Sequence, residues 1–177
     1  LYLDPYTAFQ IVTALRRATQ KIPTEVSYLQ LSLSSLELRP LPSVRASEIE
    51  KIEAELSEIN SELITLEPSV FDSDYDEFIK SIKAALCLRD WMDEQNEEEL
   101  LEKYNIPPGE LHLKRNIADW ILYASEEIAN LIGFRDLLNT IRKTRYRLDK
   151  GVKEELIPLV RLKNIGRIRA RLLFRNG

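Results

Sequence analysis

Apolar residues return every three or four positions along most of this chain, the spacing of helices that turn one face to a core. Asp4-Pro5 followed by YTAFQIVTALRRA supplies an N-cap, a first-turn proline and that spacing, and predicts a helix ending before Pro23. Thr24 to Leu36 is ambiguous: Val26, Tyr28, the leucines and the serines alternate as in a strand, yet Pro23-Thr24-Glu25 opens like a helix, and helix is the assignment. The two prolines of Leu38 to Val44 make a loop. Ser47 is read as the cap of SEIEKIEAELSEINSELI, with Glu50 completing a capping box and Ile49, Ile52, Leu56, Ile59 and Leu63 forming the apolar stripe. Asp74 or Asp76 starts a helix through FIKSIKAALCLRDWMDE, and Glu97 to Tyr104 forms a short acidic one. Pro107-Pro108-Gly109 opens a long helix that Gly133 ends, and Phe134 to Leu148 forms another. Nothing else reads as strand. The expected fold is all-α: a helical bundle over residues 1–149, followed by a small helix-hairpin-helix element over residues 150–177.

That terminal element is a candidate site. Leu156, Leu159, Val160 and Leu162 present one apolar face, Ile165 plugs the turn, and Ile168, Leu172 and Leu173 are expected to face back across a close approach at Ala170. Gly166 is read as permitting a backbone conformation that a side chain would penalise. A turn at Ile165-Gly166 feeding a helix N-terminus aims free N–H groups outward, where they can hold a phosphate. Arg167, Arg171 and Arg175 follow at intervals of four as one basic stripe, with Arg169 on another face. This pattern suits gripping a DNA backbone without reading bases; an ordinary αα-hairpin with a soluble outer face is the alternative. Pro158 fits only if the first hairpin helix is kinked or starts late.

Charge sharpens the picture. The formal net charge is -4, but residues from Phe134 onward carry 13 Lys/Arg against 4 Asp/Glu, so a basic end follows an acidic body. Such polarity suits a phosphate-facing end as well as a solvated helix surface. One cysteine and one histidine exclude an internal disulfide and a Cys/His zinc cluster, and Cys87 in AALCL reads as a buried, inert thiol. Asp72, Asp74 and Asp76 begin a calcium-loop pattern, but Glu77 replaces the required glycine and Lys83 the final glutamate. No phosphate-binding G-x-x-x-x-G-K-[ST] occurs among the 5 glycines, so no cofactor is expected in these residues. No apolar run approaches the roughly 18 residues of a membrane span. The expectation is a cytoplasmic, nucleoid-associated monomer without a membrane partner; the opening LYLDPYTA and the stop at Asn176-Gly177 suggest a piece of something longer. On the long helix, Trp120 is spaced as a core residue, though Lys114 and Arg115 before it offer the alternative of a base-stacking platform. Trp91, after an apolar run, reads as core.

YLDPYTA, IPPGELHLKRNIADWILYASEEIANLIG and GVKEELIPLVRLKNIGRIRARLLFRNG resemble consecutive segments near the C-terminus of the archaeal superfamily-two DNA helicases called Hjm, for Holliday junction migration. The resemblance implies a helical ratchet domain followed by the start of a helix-hairpin-helix domain. It implies a parent that unwinds forked or branched DNA 3′ to 5′ in replication restart and repair, with ATP and Mg in motor domains outside these residues, and an isolated segment that is inactive. By that likeness Trp120 stacks on a base of the departing single strand, and His112, Lys114 or Arg115 touches phosphate. Replication or recombination proteins are further partners it suggests. Two other classes stay open: a protein-interaction module using the acidic helices Ser47 to Leu66 and Asp76 to Glu102, or a duplex-binding accessory of a nuclease or polymerase.

Overall fold

The structure is a computed structural model and describes residues 2–176, so Leu1 and Gly177, the outermost residues of the two expected segments, lie outside the description. Its helices are α1 (Pro5–Ala18), α2 (Glu25–Leu33), α3 (Ala46–Ile59), α4 (Tyr75–Met92), α5 (Glu97–Tyr104), α6 (Pro108–Leu131), α7 (Arg135–Lys150), α8 (Ile157–Val160) and α9 (Arg167–Arg175), with short 3-10 turns at Leu36–Leu38 and Glu154–Leu156. No strand occurs among the described residues, and none of the helices described is long and apolar enough to cross a membrane.

The ambiguous second segment is the centre of the bundle. Every residue of α2 from Val26 to Leu33 is buried, because α4, α6 and α7 all pack against it. A helix buried all round has no polar face, and its serines therefore alternate with leucines for lack of any solvent side to collect on. Each buried polar group then needs a partner. Ser27 donates to the Glu62 carbonyl (2.7 Å), Ser32 to that of Tyr28 (2.9 Å), and Gln30 bonds Ser81 and Thr65 at 3.1 and 2.6 Å.

Capping fixes several helix starts. The Asp4 carboxylate accepts from the Tyr6 N–H at 2.8 Å and starts α1, as its sequence predicts. The capping box of α3 falls two residues before the expected one: the Arg45 N–H donates to Glu48 at 2.7 Å, and Ser47 lies inside the helix. Asn96 caps α5 by accepting from the Glu99 N–H at 2.9 Å. Gly133, with φ +83, turns the chain between α6 and α7, which run back antiparallel as the pair along which the candidate residues lie.

A second, smaller cluster forms beyond Gly151, from Val152, Leu156, Val160 and Ala170 with Tyr146, Leu159 and Ile165 against them. Pro158 is accommodated because α8 starts late: the proline falls in the first turn, where no intrahelical N–H is lost. The expectation that Ile168, Leu172 and Leu173 face back is corrected, since all three are exposed and Ala170 alone is buried on α9. A one-turn α8 is too short to cover a nine-residue partner.

Candidate nucleic-acid interface

The long helix α6 divides by angle into two faces. Leu111, Lys114, Ala118, Ile121 and Ser125, spaced by three and four, are buried. His112, Asn116, Trp120, Tyr123 and Glu127 fall within about 80° of one another on the outer side. His112 and Asn116 are exposed, and the Asn116 amide donates to His112 Nε2 at 3.1 Å. Trp120 is half-buried: part of its ring packs on the core and part reaches the surface. Tyr123 is 40% exposed. The Arg145 guanidinium lies 5.0 Å from its ring centre, held by Asp119 (3.0 Å) and Glu126 (3.0 Å). Burial works against the Glu126 charge, but the hydrogen bonds from Arg142 and Arg145 prevail and hold its carboxyl below the usual range.

Lys114 and Arg115 are not on that outer face. Lys114 is buried, and its ammonium donates to the carbonyls of Leu38 (2.5 Å) and Pro40. Burial pulls its pKa down. This lysine is a strut between α6 and the loop after α2, which removes it from the phosphate-contacting candidates. Arg115 is half-buried, with its guanidinium 3.9 Å from the centre of the Trp91 ring and a hydrogen bond to the Asp149 carbonyl at 3.1 Å.

Two of the three arginines of the α9 stripe, Arg167 and Arg171, are likewise turned inward. Arg167 lies over the Trp91 ring at 4.4 Å and donates to the carbonyls of Glu94 (3.3 Å) and Gln95 (3.0 Å). Arg171 forks onto the Glu94 carboxylate and also reaches Glu155 at 2.9 Å, and these hydrogen bonds raise its pKa and lower that of Glu155. The receiving element is the turn after α4. There the N–H groups of Glu94 and Gln95 bond back to Trp91 and Asp90, with Glu94 at φ 73, so the turn closes and its last carbonyls point outward. Arg147 enters the same turn through the Met92 carbonyl (3.1 Å) and Asp93 (2.9 Å). Arg167 and Arg171 thus serve as a clasp between the hairpin and the bundle.

What the hairpin leaves outward is the last arginine of that stripe together with a second basic set. Arg175 is exposed, and exposed Arg169 bonds the Asn164 carbonyl at 2.9 Å, closing the turn before Ile165. Ile165 is half-buried in the small cluster, as expected of a plug. Gly166 caps α9, but its φ of -91 is ordinary extended backbone, and a methyl added there would meet nothing within 4 Å. The expected conformational need for glycine is therefore absent; Asn164, at φ 65, takes the left-handed place. Lys153, Arg161 and Lys163 are exposed too and were not anticipated, although their place beside the turn was readable. Tyr123 and Asn116 were also missed; their intervals of three and four from Trp120 were the available signal.

Among the described residues no group of three potential metal ligands occurs, and Cys87 is buried, which pushes its thiol up to about 12. Compared with known proteins, residues 26–151 match the family described as archaeal helicase, domain 4. The whole chain is 32% identical to the ATP-dependent DNA helicase Hel308 of Caldivirga maquilingensis, 36% to that of Thermococcus kodakarensis and 33% to that of Pyrococcus horikoshii. It spans 24%, 16% and 24% of their respective lengths.

Proposed function

Because this chain belongs to the archaeal helicase domain 4 family, we propose that it is the strand-handling part of an ATP-dependent DNA helicase that unwinds forked or branched DNA 3′ to 5′ in repair and replication restart. In this reading Trp120 stacks on a base of the single strand leaving the motor, and His112 and Asn116 line the same path. ATP and Mg act in motor domains outside these residues, and the chain alone unwinds nothing. The N-terminus of α9 at Ile165-Gly166, with Arg169 and Arg175, touches phosphates; Arg167 and Arg171 hold the hairpin in place for them.

One observation carries the reading. Of the two tryptophans, only Trp120 keeps part of its ring at the surface, and it does so on the longest helix, with its remaining surface fixed by core packing. A ring held that way loses little freedom when a base stacks on it, and stacking on an aromatic side chain contributes roughly 1–3 kcal/mol per base.

The test is the affinity of the chain for a fluorescent single strand and a matched duplex across a salt series. Trp120→Ala is expected to weaken single-strand binding about tenfold and leave the salt slope unchanged. The double change Arg169→Ala/Arg175→Ala is expected to flatten the slope by roughly one to two units. Binding indifferent to Trp120→Ala would sink the assignment, and absence of binding at low salt would favour a protein-docking role.

A further inference from the structure

We infer that Tyr123 is a second base-stacking residue for single-stranded nucleic acid, one helical turn beyond Trp120. The inference rests on the reading of Trp120 above and extends it from one nucleotide to two adjacent ones.

Three features of the Tyr123 site support it. The inward stripe of α6 is complete without Tyr123, which keeps 40% of its surface exposed and whose hydroxyl takes no protein partner among the described residues. The ring is also held in place. Arg145 lies 5.0 Å from its centre and is in turn fixed by Asp119 and Glu126, so the ring is anchored on its Arg145 side while 40% of the residue stays exposed. Finally, three residues along a helix advance about 4.5 Å and return to within about 60° of the starting direction. Two rings so placed share one side of the helix, so adjacent nucleotides of a flexible single strand can reach both.

Charge defines what this face accepts. Asp119 and Glu126 would repel a phosphate, but Arg142 and Arg145 pair with them at 2.6 and 3.0 Å. Glu127 on the same side has no cationic partner among the described residues, so the strip offers a strand flat apolar rings beside a single uncompensated carboxylate. It suits the faces of unpaired bases of any sequence, while phosphates find their cations elsewhere.

Two measurements test the inference. In the first, Tyr123→Leu, Tyr123→Phe and Trp120→Ala are compared with the unmutated chain for binding to a fluorescent oligothymidylate at low salt. Tyr123→Leu is expected to weaken binding about fivefold to tenfold with an unchanged salt slope, and Tyr123→Phe to stay within about twofold. In the second, the unmutated chain is photo-crosslinked to an oligonucleotide carrying iodouracil, and the modified residues are mapped by mass spectrometry. Crosslinks are expected at both Trp120 and Tyr123. Crosslinking at Trp120 with none at Tyr123, or full affinity in Tyr123→Leu while Trp120→Ala is impaired, overturns the second platform and leaves the first standing. Loss of neither affinity nor crosslinks on Trp120→Ala, or no binding at all, overturns both. The crosslinking arm does not depend on any variant folding.

Discussion

Around Trp91 every direction is taken: Arg115 lies over the ring at 3.9 Å, Arg167 at 4.4 Å, and the indole N–H donates to the Leu148 carbonyl at 2.9 Å. Around Trp120, no cation approaches the ring among the described residues, and part of it stays open. A tryptophan with basic neighbours looks like a nucleic-acid contact, yet here the cations belong to the buried ring. An arginine stacked on an aromatic ring inside a structure gains packing and cation–π attraction there and has little left to offer a phosphate. Six of the 13 Lys/Arg from Phe134 onward, Arg142, Lys143, Arg145, Arg147, Lys150 and Arg171, pair with carboxylates.

The contrast can be broken most forcefully at the rings themselves. Trp91→Ala removes a buried indole, its hydrogen bond and the seat of two guanidinium groups, and is expected to cost about 3–5 kcal/mol in urea denaturation. Trp120→Ala is expected to cost less than half of that in stability while weakening the strand affinity; equal losses would erase the distinction. Next in size is Gly151→Ala. Gly151 is at φ +61, and an added methyl would lie 2.6 Å from two carbons of the Trp91 ring, so about 2 kcal/mol of destabilisation is expected.

Arg171→Gln breaks the clasp and is expected to cost about 1 kcal/mol, with faster amide exchange in α9 and unchanged exchange in α2. Part of that difference depends on pH. The Arg171 hydrogen bond holds Glu155 below its unfolded pKa, so its contribution is fully present above the unfolded value of about 4.3 and is lost as pH falls through the folded one. The gap in melting temperature between the unmutated chain and Arg171→Gln should therefore narrow from about pH 6 to about pH 3. The smallest effect is expected at Gly166→Ser, where ordinary backbone and open space should let a capping hydroxyl raise stability by about 0.5 kcal/mol in the same denaturation assay.

The helices were legible because their signals are local. Caps such as Asp4, breakers such as Gly133 and the periodicity of α6 lie within a few residues of what they determine. Lys114 shows both the reach and the limit of this kind of reading. Its spacing from Leu111, Ala118 and Ile121 places it on the inward stripe, a sign that its charge overrides. No local pattern, however, announces that the Leu38 and Pro40 carbonyls would meet it from 76 and 74 residues away. The same holds for Arg167 and Arg171, whose partners lie on a turn more than seventy residues earlier. Sequence periodicity indicates which side of a helix a charge is on; it does not say what waits there.

The buried ammonium of Lys114 also works as a key in a slot. Each residue turns a helix by about 100°, so a slip of α6 by one position would swing the Trp120 ring away from its present bearing and carry the lysine off its two carbonyls. The azimuth of the surface ring is thus fixed from about 120° around the helix, through a lysine six residues before it.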